Sequence, residues 1–108
     1  MADIDIDIDD LKAGLAAGTH VVVDVREAHE YAAGRIPGSL PMPLSAFDPR
    51  ALPAPGGRTI VLSCQASKRS AFARDIAQKA GRADIVAHYP GGFGEWRALG
   101  EKVETGIA

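Results

Sequence analysis

Arg58-Thr59-Ile60-Val61-Leu62-Ser63-Cys64-Gln65-Ala66-Ser67-Lys68-Arg69-Ser70-Ala71-Phe72-Ala73-Arg74 is the stretch that decides the fold of this chain. Thr59 to Ser63 is a short apolar, β-branched run without polar alternation, the pattern of a strand buried on both faces. Lys68 to Ala80 follows as a helix, with Phe72, Ile76 and Ala80 spaced to pack on a sheet and Gly81 to close it. Between strand and helix stands Cys64, the only cysteine of the chain. Open α/β sheets bind ligands just outside the carboxyl ends of their strands, and that is where this thiol lies.

The same alternation of strand and helix extends in both directions. Val21-Val22-Val23 is a second doubly buried strand, ending at Asp24-Val25-Arg26. Ala28 to Ala33 suits a short helix ending at Gly34, and Ile36-Pro37-Gly38 a turn. Pro41 and Pro43 exclude a regular helix through Leu40 to Leu44, and Phe47 to Gly57 reads as loop. Ile85 to Tyr89 is a further strand, Pro90-Gly91-Gly92 a turn, and Phe93 to Leu99 a short helix. Near the amino terminus Ile4, Ile6 and Ile8 alternate with aspartates, which predicts a strand with one buried face. Asp9 or Asp10 then caps a helix through Leu11, Lys12, Leu15 and Ala16, with Gly18 as its stop. Asp5-x-Asp7-x-Asp9 copies the opening of a calcium loop, but Asp10 stands where that motif needs Gly and Ala16 where it needs Glu, so a solvated strand face is the better reading. Strands alternating with helices at this spacing imply a three-layer α/β domain, a central and mainly parallel sheet flanked by helices.

The 108 residues fit one domain spanning 1–108, able to bury roughly two thirds of the unfolded surface without disulfides or metal. Apolar content of 46% and charged content of 24% are ordinary for a soluble protein. A formal net charge of -2 gives no reason to expect nucleic acid or an anionic membrane as partner. The acidic start lacks the features of a secretory signal, and no apolar run approaches the ~18 residues that span a bilayer, so a cytoplasmic location is expected. One cysteine forms no internal disulfide, which suits a reducing compartment. His20, His29 and His88 are scattered without metal-ligand spacing, and no metal site is inferred.

Cys64 has two readings. A free cysteine often acts as a small buried hydrophobe. It is a nucleophile when its surroundings are electropositive and partly open, because the thiolate is the reactive form. Of the residues from Gln65 to Ser70 only Ala66 is apolar, Lys68 and Arg69 are cations, and a helix amino terminus there offers free N–H groups and partial positive charge. These neighbours favour the nucleophile.

Three segments, in order along nearly the whole chain, resemble one family. Asp24-Val25-Arg26-Glu27 with Glu30-Tyr31-x-x-Gly34-x-Ile36-Pro37-Gly38 resembles the first signature of the rhodanese (sulfurtransferase) homology domain. Cys64-Gln65-Ala66-Ser67-Lys68-Arg69-Ser70 resembles its active-site loop, and Gly91-Gly92-x-x-x-Trp96 its carboxy-terminal signature. The resemblance, to the single-domain type, implies that Cys64 takes a sulfane sulfur from a donor, becomes a persulfide and hands the sulfur to a thiol or cyanide. No cofactor is implied. The donor would be thiosulfate, a small persulfide or a protein persulfide. The backbone N–H groups of Gln65, Ala66, Ser67, Lys68, Arg69 and Ser70 would cradle the outer sulfur as a curved set of amides. Arg69 would hold an anionic donor by paired N–H bonds, with Lys68 adding an unspecific field. A cation in the first turn of a helix is otherwise disfavoured by the macrodipole, which speaks for a functional Arg69. Ser70 either caps the helix or bonds the persulfide. Asp24 and Arg26 would lie close to the loop in a supporting role, with an ion pair of Arg26 and Glu30. Tyr31, Ile36 and Trp96 read as core or pocket wall.

Two positions depart from the family pattern. Arg35 stands where His is common, and Ser67 where many active loops have Gly. A positive φ at Ser67 would strain it by about 1 kcal/mol or more. Two other functions remain in view. Cysteine-dependent phosphatases and arsenate reductases on a related fold carry Cys-x5-Arg loops, whereas Cys64-x4-Arg69 is one residue shorter. A non-catalytic sulfur-carrier or regulatory binding module would use the same fold without turnover.

Overall fold

The computed structural model describes residues 3–106. Among these residues five strands form one sheet: β1 (Ile4–Asp5), β2 (His20–Asp24), β3 (Leu40–Pro41), β4 (Thr59–Ser63) and β5 (Ala87–Tyr89). Their order across the sheet is β1-β5-β4-β2-β3, and every pairing is parallel. Among the described residues three helices, α1 (Ile8–Ala17), α2 (Ala28–Ala33) and α3 (Lys68–Lys79), connect strands, and a fourth, α4 (Gly92–Ala98), follows β5. This is the expected three-layer α/β arrangement. Residues 44–46 and 49–51 add single 3-10 turns in the proline-rich stretch.

The two doubly buried runs behave as their composition dictates. Val21, Val23, Ile60, Leu62 and Cys64 point to one face, where Ala73 and Ala77 of α3 and the outlying Leu52 and Ile85 complete a core. Val22 and Val61 point to the other, where they meet Leu11 of α1 and Phe93 and Trp96 of α4. Parallel strands covered on both sides need this continuous apolar composition, because neither set of side chains reaches water. Among the described residues no helix is long and apolar enough to cross a membrane.

Topology determines where a ligand can sit. From β2 the chain moves through α2 outward to β3, and from β4 it moves through α3 to β5 on the opposite side. β2 and β4 are neighbours, in register from His20 against Thr59 to Asp24 against Ser63. Their carboxyl ends therefore flank the switch point of the sheet, the crevice such folds use for binding. Asp24-Val25-Arg26 and Cys64 border it.

Three expectations are corrected. The alternation of Ile4, Ile6 and Ile8 does not continue as a strand: Ile8 opens α1, and the cap is Asp7, whose carboxylate accepts a hydrogen bond from the Asp10 N–H at 2.8 Å, not Asp9 or Asp10. A local side-chain bond to a free helix amide outweighs the period-two pattern. On α3 the buried stripe is Ser70, Ala73 and Ala77, not Phe72, Ile76 and Ala80. Phe72 is 57% exposed. Small side chains let the helix lie close on the sheet and leave the large ring outside. The last strand is confined to Ala87–Tyr89, with Ile85 buried ahead of it. Gly18 ends α1 with φ 74°, as expected of a glycine stop.

Candidate active site

Cys64 leaves β4 at the switch point and turns into the exposed segment 65–68, after which α3 begins. Ser67 is the residue before α3, but its side chain makes no capping bond. Its place is taken by sulfur: the Ser70 N–H, third in the helix, donates to Cys64 Sγ at 3.3 Å. A thiol carried by the preceding strand thus occupies the seat of a capping oxygen. An anion in that seat gains from both the free amide and the helix dipole.

The expected ring of amides is narrower than the resemblance implies. Among residues 65–70 the Ser70 N–H is the one that hydrogen-bonds to sulfur, while the Ala66 carbonyl lies 3.3 Å from Sγ as an acceptor for the thiol. The sulfur is also less open than expected, at 2% exposure, beneath exposed Gln65, Ala66, Ser67 and Lys68. Ser67 has φ -120° and among the described residues only glycines have positive φ, so serine in place of glycine costs no backbone strain.

The loop is held from behind by α4. The Phe93 N–H donates to the Cys64 carbonyl at 2.8 Å and the Gly94 N–H to the Gln65 carbonyl at 3.0 Å. The free amides of one helix end thereby satisfy loop carbonyls that would otherwise be orphaned. Close approach requires glycine. A Cβ on Gly92, whose φ is +65°, would lie 2.5 to 2.7 Å from the carbonyl oxygens of Cys64, Gln65 and Ala66. The paired glycines of the carboxy-terminal signature acquire a physical reason here.

Charge is arranged in two forks. Arg26 and Asp24 are buried together, with Nε 3.1 Å from both carboxylate oxygens, Nη2 2.8 Å from Oδ2 and a further Nη2 bond to the Gly34 carbonyl at 2.6 Å. Arg26 also lies over the Phe93 ring, 4.4 Å from its centroid. The expected pair of Arg26 with Glu30 is not formed, because Asp24, two residues back at the end of β2, offers a two-oxygen partner in reach. Glu30 belongs instead to Arg69, which it meets through two bonds of 2.7 and 3.0 Å. Those bonds hold the Glu30 carboxyl down at about 2 and raise the Arg69 guanidinium, to which the charges of Cys64 and Asp24 add smaller contributions. Arg69 thus stands over the site with its fork already engaged, not free for an anion. Lys68 projects into solvent.

Ser70 is fully buried, and its hydroxyl does not cap the helix. Its Oγ lies 3.4 Å from Cys64 Sγ, 3.2 Å from the Ser67 carbonyl and 2.9 Å from His88 Nδ1. His88 is therefore a neighbour of the site that sequence spacing did not reveal, brought beneath α3 by β5. Arg35, by contrast, faces away: its guanidinium lies over the Tyr31 ring and donates to the Gly106 carbonyl, fastening the carboxy-terminal segment. Tyr31, Ile36 and Trp96 are buried wall and core.

A family model described as Rhodanese-like domain matches residues 7–99. A curated Synechocystis protein described as uncharacterized is 39% identical over 80 residues, covering 74% of this chain and 44% of its own length. The chain thus spans under half of that relative. Human thiosulfate:glutathione sulfurtransferase is 29% identical over 105 residues, covering 84% of this chain and 90% of its own. Among solved structures, a human single-domain sulfurtransferase superimposes with a TM-score of 0.74 at 30% identity, covering 87% of this chain and 95% of that one.

Proposed function

We propose, since the chain belongs to the rhodanese-like domain family, that it is a sulfurtransferase working through a persulfide on Cys64. The observation that carries the proposal is the seat of Sγ at the amino end of α3, where the Ser70 amide donates to it. The Cys64 thiolate attacks the sulfane sulfur of thiosulfate or of a persulfide. A new S–S bond forms as the donor's own S–S bond breaks, and sulfite or a thiolate departs with the electron pair. A thiol or cyanide then attacks the outer sulfur, the bond to Cys64 breaks, and the Cys64 thiolate returns. The outer sulfur carries negative charge throughout, which is what fixed amides and a helix dipole stabilise. Gln65, Ala66, Ser67 and Lys68 form the exposed rim through which the donor enters. Arg69 meets an anionic donor by sharing or exchanging its fork with Glu30, and Asp24 with Arg26 holds the facing edge of the crevice.

A second reading has an observation of its own. At 2% exposure Cys64 is as covered as a core residue, which suits a non-catalytic sulfur-carrier or regulatory module without turnover. A panel of donors against acceptors separates the readings. Sulfite release from thiosulfate, or persulfide transfer to a thiol, is expected in the wild type and absent in Cys64→Ser, with negligible hydrolysis of an aryl phosphate. Phosphatase activity lost in Cys64→Ser, with no sulfur moved from any donor, would overturn the proposal. Loading without turnover would favour the carrier.

A further inference from the structure

A continuous polar line runs from the buried sulfur to solvent. Cys64 Sγ is 3.4 Å from Ser70 Oγ, Ser70 Oγ is 2.9 Å from His88 Nδ1, and His88 Nε2 is 3.2 Å from Asp5 Oδ1. The first three residues are buried, at 2%, 0% and 4% exposure, and the Asp5 side chain is 66% exposed. β1 and β5 are paired so that Asp5 stands opposite His88, which fixes the last contact by strand register.

The hydrogens of this line run in one direction when the Cys64 S–H turns to Ser70 from the Ala66 carbonyl, 3.3 Å from Sγ, and the Ser70 hydroxyl turns to His88 from the Ser67 carbonyl, 3.2 Å from Oγ. With a proton on Nε2 facing the Asp5 carboxylate, Nδ1 is an acceptor, the Ser70 hydroxyl donates to it, and the serine lone pair receives the Cys64 S–H. We propose that Cys64 and His88 ionise as a pair: the thiol proton passes to Ser70 Oγ while the serine's own proton passes to His88 Nδ1. The products are a thiolate that accepts a hydrogen bond from Ser70 and an imidazolium that faces Asp5. No proton is gained or lost overall, and each of the two bonds reverses direction. The inference rests on the sulfurtransferase reading for its purpose, since a thiolate attacks the donor and the persulfide it becomes is likewise an anion across Ser70 from His88. It gives a buried thiol a way to ionise without water beside it. Ser70 touches the reacting sulfur, whereas His88 and Asp5 act through it as positioning residues.

The charges around His88 act in both directions. Burial lowers its pKa and the Arg74 guanidinium on α3 adds to that, which keeps the resting ring an acceptor, whereas Asp5 and Asp3 favour the imidazolium and the thiolate formed with it adds a further favourable charge. Arg74 shares Asp5, its Nη1 being 3.3 Å from Oδ1. From β4 the residue in register with His88 is apolar Leu62, so no further charge faces it there.

The test uses the rate at which iodoacetamide alkylates Cys64, followed against pH by intact mass. His88→Asn keeps an acceptor beside Ser70 and cannot take the proton. It is expected to react at least about tenfold more slowly near neutral pH and to converge with wild type where hydroxide ionises the thiol. Asp5→Asn, on an exposed edge, is expected to show a smaller loss of the same form. In the unaltered protein, 15N shifts of the His88 ring should show imidazolium persisting to higher pH before Cys64 is blocked with iodoacetamide than after. Superimposable rate profiles in the folded variants, or an unchanged His88 titration on blocking, would overturn the proposal. Neither measurement needs a sulfur donor, so failure of the sulfurtransferase reading would leave these results unaffected and show separately as absence of a persulfide.

Discussion

Gly92 is where the fold and the sulfur loop meet, and replacing it with alanine separates two costs. The first is conformational: at φ +65° an L residue costs about 1–2 kcal/mol. The second is contact. The added Cβ would stand 2.5, 2.6 and 2.7 Å from three backbone oxygens, none of which can rotate away as a side-chain end can. Overpacking of this kind costs about 1–3 kcal/mol, so Gly92→Ala should lose about 2–5 kcal/mol in all. Gly100 isolates the first cost, because its φ is +76° and a Cβ there would meet nothing within 4 Å. Gly100→Ala should lose only about 1–2 kcal/mol. Urea unfolding measures both. Relief of the clash in Gly92→Ala must push the carbonyls of residues 64–66 away from α4, which moves the thiol off the Ser70 amide. Sulfur transfer should therefore fall in Gly92→Ala, assayed where it is still folded, and persist in Gly100→Ala. Equal stability losses in the two variants, or full transfer activity in folded Gly92→Ala, would refute the claim that α4 holds the loop through that glycine.

Glu30→Gln should lower the urea midpoint near neutral pH, and the gap to wild type should narrow with acid. The folded carboxyl is held at about 2, below its ordinary 4.5, so its contribution is full above the unfolded value and is lost as pH falls through that window. The same variant should lower the KM for thiosulfate by freeing the Arg69 fork, and an unchanged KM would show that the donor does not meet Arg69. Asp24→Ala leaves the Arg26 guanidinium buried without its partner and should cost about 3–5 kcal/mol by chemical denaturation. Lys12→Ala, which breaks the exposed pair with Glu101, should stay within about 1 kcal/mol, and similar losses in the two variants would contradict the ranking by burial.

Elements with a buried apolar run or clear end signals are legible in the sequence. Thr59 to Ser63 forms with the bounds its residues imply because composition and burial agree there, and Ala28 to Ala33 does so because the Glu27–Glu30 capping box opens it and Gly34 closes it. Ile8 departs from the alternating pattern because the bond from the Asp10 amide to Asp7 starts a helix inside it. On α3, size misled: Phe72 looks like a core residue, yet alanines make the closer contact with the sheet. At the site, position was readable and partnership was not. The place of Cys64 follows from strand, loop and helix in succession. The engagement of Arg69 by Glu30, 39 residues earlier, depends on how α2 and α3 lie across the crevice. His88 carried no local signal, since it reaches Ser70 only when β5 pairs with β4. A histidine in a strand ahead of a glycine pair, on the face opposite to its apolar neighbours, was the one available hint.

The most direct test of the account is the intact mass of the protein after incubation with thiosulfate or a small persulfide. The wild type should gain the mass of one sulfur atom, lose it on addition of cyanide or a thiol, and show neither change in Cys64→Ser. A wild-type mass that no sulfane donor alters, or a sulfur adduct that survives in Cys64→Ser, would contradict the assignment of Cys64 as the sulfur carrier.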